Sequence, residues 1–367
     1  GGPGDDAAPS DAAPVDAAPR DARAEDDASM PLAATPFVYV GQTDGELVVY
    51  SIDPTSGELT RRSSTRTGNF PAFAEVTPDG LRMVVVNEGS DEVAGLTIAP
   101  GTGATTLVGT RASRGGSPTH VTIDGEGRYA FAANYGGGSV AMLPILEDGG
   151  LAAASDDEAA GANAHAVVVD RTGRWLLVPA KGDDAVVVFA IDADAGAITR
   201  HGRHDTARDA GPRHLALDAA GTHAYLVNEL DSTVDVLTFD PVAGALAHVQ
   251  TLSTLPAAFS GSNTTAEILI SPDGRFVYAS NRGHDSIAVF EVQADGRLLA
   301  RGRALLEART PRSMAIDPSG TFLIAGALES NVLVRFRIGA DGALTRLGTT
   351  PTDSRPFYVG IFAIPDA

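Results

Sequence analysis

The sequence predicts an all-β protein, a seven-bladed β-propeller with four antiparallel strands in each blade. The first observation is a repeat, since six tight turns that close on glycine recur at intervals of 47, 46, 48, 53 and 46 residues. The second is that each glycine lies between short apolar runs rich in β-branched and aromatic residues. A strand-based repeat of this length is typical of a propeller. The closing glycines are Gly80, Gly127, Gly173, Gly221, Gly274 and Gly320.

The repeat around Gly274 shows how the strands of one blade follow one another. Residues 266–270 precede this glycine, and two more apolar runs, 276–280 and 286–290, follow it. Short runs of this composition, bounded by Asp, Pro and Gly, are typical of strands. A second turn, Asp295-Gly296, introduces another short run, so each repeat contains four strands. Four antiparallel strands per repeat make a propeller blade.

The seventh blade is divided between the two ends of the chain. Residues 37–40 and 47–50 resemble the second and third strands of a blade, but no first strand precedes them. Residues 356–361 resemble a first strand without a successor. Joining the two ends completes the blade and leaves no free sheet edge in the ring. We therefore expect one propeller domain over residues 36–367.

Residues 1–35 have a different composition and are expected to form a disordered, acidic, Ala/Pro-rich linker. They contain three near copies of Asp-Ala-Ala-Pro, which begin at Asp6, Asp11 and Asp16, and almost no large apolar side chain. Such a segment cannot bury enough apolar surface to fold. A second interpretation is a tether that follows a removed secretion or lipoprotein signal, with any lipid anchor lost with it. This interpretation favours a periplasmic or lipoprotein location, outside the cytoplasm.

Composition excludes several functional classes. The formal net charge is −20 and no cluster of Lys and Arg occurs, which argues against nucleic acid as a partner. The chain has no cysteine, which excludes disulfides, thiolate metal sites and covalently attached haem. No apolar run is long enough to predict a transmembrane helix. The histidine spacing matches no zinc motif, so neither a metal nor a cofactor is expected.

Candidate site residues emerge at fixed distances from the closing glycines. The positions eight residues before and after each glycine are expected to lie opposite each other at the far end of the first two strands. Since first strands line the channel of a propeller, these positions should surround one mouth of it. Strands bury charges only when they are paired, so a charged and polar set here predicts a functional site. The set comprises Tyr135, His165, Lys181, Arg213, Glu229, Arg282 and Arg312, with His120, His214 and Glu267 seven residues before their glycines.

Two structural interpretations compete with this prediction. Arg213 and Glu229 could form an ion pair that serves only the fold. Asparagines that recur seven residues after four of the glycines are expected to stabilise turns, because they repeat while the neighbouring charges vary. These asparagines are Asn87, Asn134, Asn228 and Asn281.

Four segments resemble the lactonase family of seven-bladed propellers: residues 117–120, 211–214, 228–234 and 280–287. The family includes the propeller-type 6-phosphogluconolactonases and the fungal 3-carboxy-cis,cis-muconate lactonizing enzyme, and the resemblance covers about residues 36–365. It implies a catalytic set of one His, two Arg and one Glu. By motif and spacing, these roles fall on His165, Arg213, Glu229 and Arg282. Substrate binding is expected of the remaining candidates, His120, Tyr135, Lys181, His214, Glu267, His284 and Arg312.

The resemblance implies hydrolysis, or the reverse formation, of a small carboxylated or phosphorylated lactone. Arg213 and Arg282 would hold the substrate anion or the developing oxyanion. A glutamate between arginines should have a lowered pKa, and a histidine beside Lys181 should favour its neutral form. Neutral His165 is thus the expected general base, and Glu229 is the alternative.

Two other classes remain open at this stage. A non-catalytic extracytoplasmic propeller that binds a ligand or a protein would fit the tether and the acidic surface. A propeller dehydrogenase subunit is less well supported, because residues for quinone or haem attachment are missing.

Overall fold

The computed structural model describes Gly1 and residues 33–367, so nearly all of the expected linker lies outside the described residues. Within this range, 28 strands form seven four-stranded antiparallel sheets. The innermost strands of successive sheets contact one another around a central axis. The predicted all-β, seven-bladed propeller is confirmed.

The strands follow the chain in order, and the blade that closes the ring also contains the first three. These three are β1 (Ala34–Gln42), β2 (Glu46–Ile52) and β3 (Leu59–Arg66). The next two blades are β4 (Pro71–Val76), β5 (Arg82–Asn87), β6 (Glu92–Ile98) and β7 (Thr105–Ala112), then β8 (Pro118–Ile123), β9 (Tyr129–Asn134), β10 (Ser139–Pro144) and β11 (Asp156–Ala159).

The following two blades begin with the shortest inner strand. They are β12 (Val168–Val169), β13 (Trp175–Ala180), β14 (Ala185–Asp192) and β15 (Ala197–Asp205), then β16 (Pro212–Leu217), β17 (His223–Asn228), β18 (Thr233–Asp240) and β19 (Ala245–Ser253).

The last strands are β20 (Thr264–Ile270), β21 (Phe276–Arg282), β22 (Ser286–Val292) and β23 (Leu298–Leu305), then β24 (Pro311–Ile316), β25 (Phe322–Ala327), β26 (Val332–Ile338) and β27 (Leu344–Pro351), and finally β28 (Pro356–Pro365). Two short 3-10 turns, Lys181–Asp183 and Leu328–Ser330, are the helical segments in residues 33–367. Neither is long enough to cross a membrane.

The ring is closed by pairing between the two ends of the described chain. Strand β28 pairs with β1 from Ala34–Pro365 to Gln42–Pro356, and the sheet order is β28-β1-β2-β3. This is the divided seventh blade that the sequence predicts. The inner strand of that blade is therefore supplied by the C-terminal end of the chain.

Neighbouring blades are joined by buried apolar faces and by a recurring tyrosine contact. Tyr39, Tyr225 and Tyr278 lie in the second strands of their blades and are almost fully buried. Each hydroxyl donates to the carbonyl of a turn glycine in the next blade, at 2.9 Å for Tyr39 and 3.0 Å for the other two. A buried hydroxyl needs such a partner, so each contact fixes one blade against the next.

One detail of the inner strands differs from the expectation. Four inner strands contain a register shift that leaves unpaired the residue eight positions before the glycine. That residue therefore lies in a β-bulge and does not face the residue eight positions after the glycine, which follows the end of the second strand. An extra residue in one strand redirects its side chain, and bulges of this kind commonly lie beside functional sites. The bulge residues are Ala72, Thr119, Arg213 and Arg312.

Three of the four recurring asparagines bind loops, whereas Asn228 donates to Thr233 Oγ1 at 3.0 Å and to Asp235 Oδ2 at 2.9 Å within its own blade. Asn87 donates to the Thr67 carbonyl at 3.1 Å, and Asn134 and Asn281 make equivalent bonds to the loops that enter their blades. All three are fully buried. They connect the end of one blade to the second strand of the next and thereby hold the loops at the site end of the channel.

Candidate active site at one mouth of the channel

Glu229 lies at the centre of a buried ionic cluster. Its carboxylate contacts Arg213 Nε and Arg282 Nη2, each at 3.1 Å, and accepts a hydrogen bond from Lys181 Nζ at 2.6 Å. Arg213 is in the β16 bulge, Glu229 follows β17, Arg282 ends β21 and Lys181 follows β13. Three successive blades therefore bring together the charges that the sequence places at equivalent offsets.

The cluster fixes the charge of its members. Burial by itself raises the pKa of Glu229, but Arg213, Arg282 and Lys181 outweigh it and lower the pKa to about 2. Burial and the neighbouring Arg282 lower the pKa of Arg213 to about 9. At neutral pH, the glutamate is therefore ionised and the arginine protonated. The expected low pKa of Glu229 agrees with this geometry.

His165 lies beside the ionic cluster and is 5% exposed. Its backbone is held on both sides, because its N–H donates to the Pro179 carbonyl at 2.8 Å and its carbonyl accepts from Thr119 Oγ1 at 2.9 Å. The ring packs edge-on against Tyr135, and the Lys181 ammonium lies 5.5 Å from the centre of the Tyr135 ring. Burial first, and then Arg213, hold the pKa of His165 well below its usual range, so the imidazole is neutral as expected.

Two further histidines continue the site into the channel. The His214 ring centre lies 5.1 Å from those of both His165 and His120, and His120 stacks on Phe73 at 3.8 Å. His214 Nδ1 lies 2.6 Å from Glu267 Oε1. Burial is the main cause that lowers the pKa values of His120 and His214 far below the usual range. Both rings are therefore neutral at physiological pH.

Arg312 forms a second, looser cationic position at the same mouth. Its guanidinium carbon lies 3.7 Å from the centre of the Phe357 ring, and its Nη2 is 3.6 Å from Glu88. The side chain keeps 15% of its surface exposed. Stacking on an aromatic face orients the guanidinium while leaving its N–H groups free to bind an anion.

His284 is the candidate that stands apart from the others. Among the described residues, its ring packs against Phe259, and its Nδ1 lies 2.7 Å from Ser286 Oγ. Its N–H donates to the Asn263 side chain at 3.0 Å. These contacts of His284 are thus with the loop between β19 and β20 and with the start of β22, not with the cluster around Glu229.

The structure adds residues that were not among the predicted binding set. Glu88 has the same offset from its glycine as Glu229, so the repeat could have identified it. Phe357 and Tyr358 lie in the C-terminal strand, which has no closing glycine from which to count. Glu75, five residues before Gly80 on β4, is not one of these residues, although burial raises its pKa to about 7.

The mouth as a whole carries more positive than negative charge. Arg213, Arg282, Lys181 and Arg312 face the ionised Glu229 and the less acidic Glu88, whose pKa is raised by burial. A cationic excess around neutral imidazoles can bind an anionic substrate and accept a proton from it or from water.

The sequence matches one family model and several known relatives. The family model "Lactonase, 7-bladed beta-propeller" matches residues 19–361. The 6-phosphogluconolactonase of Serratia proteamaculans is 40% identical over 187 residues, which are 50% of this chain and 56% of that protein. That of Yersinia pestis is 34% identical over 276 residues, or 74% of this chain and 81% of the relative. The match to the Serratia relative thus spans little more than half its length.

Solved structures give the same result. The periplasmic gluconolactonase PpgL of Pseudomonas aeruginosa superposes with a TM-score of 0.84 at 28% identity, over 90% of this chain and all of that one. A Lactobacillus plantarum protein superposes with a TM-score of 0.83 at 25% identity, over 90% of this chain and 99% of that one. The chain belongs to the lactonase family of seven-bladed β-propellers.

Proposed function

We propose that this protein hydrolyses a small lactone that carries a carboxylate or phosphate group. The observation that carries the proposal is the arrangement of neutral His165 beside the Arg213–Glu229–Arg282 cluster at one mouth of the channel. The family match and the relatives named 6-phosphogluconolactonase support lactone chemistry. Family membership does not favour the alternative of a non-catalytic binding propeller.

Each group has a defined role in the proposed reaction. His165 removes a proton from water, and the resulting hydroxide attacks the lactone carbonyl. Arg213 and Arg282 stabilise the negative charge that develops on the carbonyl oxygen. As the ring C–O bond breaks, the leaving alkoxide takes a proton back from His165. The reverse sequence would form a lactone from a hydroxy acid.

Glu229 is assigned a positioning role in this reaction. With a pKa of about 2, it is too weak a base to take a proton from water near neutral pH. Its carboxylate instead holds Arg213, Arg282 and Lys181 in fixed directions. Arg312, stacked on Phe357 and partly exposed, is proposed to bind the substrate's remote anionic group.

Arg213→Ala tests the assignment. We expect kcat/KM for 6-phosphogluconolactone to fall by about 100-fold or more, since an oxyanion donor is removed. Arg303→Ala is the matched control, because Arg303 binds the Thr254 and Leu255 carbonyls and should leave turnover unchanged. Arg282→Ala is the second variant, in case loss of the more buried Arg213 prevents folding. Normal kinetics in a folded Arg213→Ala protein would refute the role of the cluster.

Residues 1–35 are proposed to be a solvated linker, and the protein is proposed to act outside the cytoplasm. The acidic, Ala/Pro-rich composition of this segment and the periplasmic relative of Pseudomonas aeruginosa support the proposal. Cell fractionation of the native producer, with sequencing of the mature N-terminus, tests it. Recovery of the full-length protein in the cytoplasmic fraction alone would contradict it.

A further inference from the structure

Among the described residues, the Glu267–His214 pair is the shortest contact between a carboxyl and an imidazole. Glu267 Oε1 and His214 Nδ1 are 2.6 Å apart, and each residue is 5% exposed. The pair comes from the inner strands β20 and β16 of adjacent blades. At this distance and burial, the two groups share a hydrogen bond of the strong, charge-assisted kind.

Hydrogen bonds of the backbone at Glu267 and Ile268 hold the Glu267 side chain in place. The β20–β21 register skips Ala266 and Glu267, and the Glu267 N–H donates to Ser280 Oγ at 3.0 Å. Its Oε1 also accepts the N–H of Ile268 at 3.2 Å. Within the described residues, His214 is its hydrogen-bonded side-chain partner. The carboxyl is therefore positioned toward the imidazole and not toward the ionic cluster around Glu229.

The protonation of this pair determines whether His214 Nε2 donates or accepts a hydrogen bond. When Glu267 is ionised, His214 Nδ1 carries the hydrogen and Nε2 is an acceptor. When the pair gains one proton, Glu267 and Nδ1 share one hydrogen, and Nε2 carries another and becomes a donor. A single proton thus reverses the hydrogen-bonding character of Nε2.

The Nε2 side of the His214 ring lies next to the proposed general base. The ring centres of His214 and His165 are 5.1 Å apart. His214 Nε2 and His165 Nδ1 are both buried, and neither has a hydrogen-bond partner among the described residues. Buried polar atoms normally have partners, and one bound water between these rings would satisfy both. His120 is less suited to this role, because its Nδ1 accepts the N–H of Val167.

The electrostatic environment makes a proton more stable on the Glu267–His214 pair than on His165. Burial, followed by Arg213, disfavours protonated His165, whereas burial raises the pKa of Glu267 to about 7 despite Arg213 and His120. The other charged or titratable groups that act on the pair are Arg312, Glu229, Arg282 and Tyr358. A proton accepted at His165 is therefore more stable on Glu267.

We propose that His214 and Glu267 form a proton relay behind His165, an inference that rests on the proposed lactone hydrolysis. The water O–H bond breaks as His165 Nε2 gains the proton. His165 Nδ1 then gives its proton, directly or through one water, to His214 Nε2. His214 Nδ1 gives its own proton to Glu267, and the hydroxide adds to the lactone carbonyl. The protons return along the same path when the ring oxygen leaves as alcohol.

Glu267→Gln separates this role from substrate binding. The amide keeps the size of the side chain but cannot take up a proton. We expect kcat for 6-phosphogluconolactone to fall about 100-fold, as for loss of general base assistance, with KM unchanged. In the wild type, kcat should fall as pH decreases through about 7, since protonated Glu267 cannot accept. That pH dependence should be absent in the variant.

Glu75→Gln is the matched control. Glu75 is also a channel carboxyl with a pKa raised to about 7. Its carboxyl accepts the Val76 N–H and, among residues 33–367, no hydrogen bond from an imidazole. This variant should retain the wild-type kcat and its pH dependence. An unchanged kcat profile in Glu267→Gln, or a rise in KM alone, would overturn the relay.

NMR of the histidine ring nitrogens tests the relay without any substrate. In the wild type, His214 Nε2 should change from unprotonated to protonated as pH falls through about 7. Absence of this change overturns the relay, whatever the activity, and the measurement does not require the variant to fold. The change observed without turnover of any lactone would instead reject the proposed function while supporting proton uptake by the pair.

Discussion

Glu229 shows how a single residue can hold three cations in a buried site. Its partners Arg213, Arg282 and Lys181 each come from a different sheet strand or loop, and each would be costly to bury alone. The carboxylate compensates their charges and fixes their directions. The stability of the protein and the geometry of the site therefore depend on the same residue.

Glu229→Gln should lower the free energy of unfolding near pH 6 by roughly 3–5 kcal/mol, because it leaves the buried Arg213 without its counter-ion. The pKa of Glu229 is lowered from 4.5 to about 2 in the folded protein. Its contribution is thus present above pH 4.5 and lost as pH falls through about 2. The difference from wild type should therefore narrow at pH 3.

Urea unfolding at the two pH values checks this prediction. Glu329→Gln is the control, since Glu329 pairs with Arg309 at the surface and its loss should change nothing measurable. Equal stability of Glu229→Gln and wild type at pH 6 would contradict the role of the cluster.

At the scale of elements, the inner strands both close the ring and present the site. Register shifts in β16 and β24 direct Arg213 and Arg312 out of the regular ladder and into the channel mouth. Strand β28 completes the last sheet, contacts both neighbouring inner strands and carries Phe357. Losing one inner strand would therefore open the ring and expose sheet edges.

A chain that ends at Arg355 should lose its cooperative thermal transition and aggregate, since β28 is removed and β1 becomes an edge strand. A chain that ends at Pro365 keeps the whole strand and should unfold like the full-length protein. Differential scanning calorimetry distinguishes the two. Cooperative unfolding of the shorter chain near the wild-type temperature would show that the closure is not required.

At the scale of the whole molecule, an acidic protein surrounds a channel that disfavours charge. The formal net charge is −20, yet the mouth concentrates arginine and lysine. At the mouth and deeper in the channel, burial raises the pKa values of Glu75 and Glu267 and lowers those of three histidines. Folding therefore favours the neutral forms of these groups, which makes stability depend on pH.

Glu75→Gln should gain stability relative to wild type as pH rises. The pKa of Glu75 is raised from 4.5 to about 7 by folding, so its favourable contribution is complete below 4.5 and lost as pH rises through about 7. The amide of the variant does not ionise and has no such loss. The difference in free energy of unfolding between variant and wild type should therefore be up to about 3 kcal/mol larger at pH 8 than at pH 4.5. Chemical denaturation at both pH values measures it; a constant difference would show that Glu75 titrates normally.

The sequence by itself determined the architecture of this protein. Turn glycines and apolar runs are local signals, and their spacing fixed the number of blades, the division of the last blade and the offsets at which candidate site residues occur. The same offsets correctly gathered Arg213, Glu229, Arg282 and Lys181, because equivalent positions of a propeller surround one axis.

Only the tertiary structure decided how those residues meet. The bulge at Arg213, the pairing of Glu267 with His214, and the stacking of Arg312 on Phe357 all involve contacts between blades or shifts in strand register. The repeat pattern predicts each blade separately, so it does not predict which side chains of different blades contact one another. The distance of a residue from its turn glycine is a local property of the chain. The residues that its side chain contacts depend on how the blades are arranged in the closed ring.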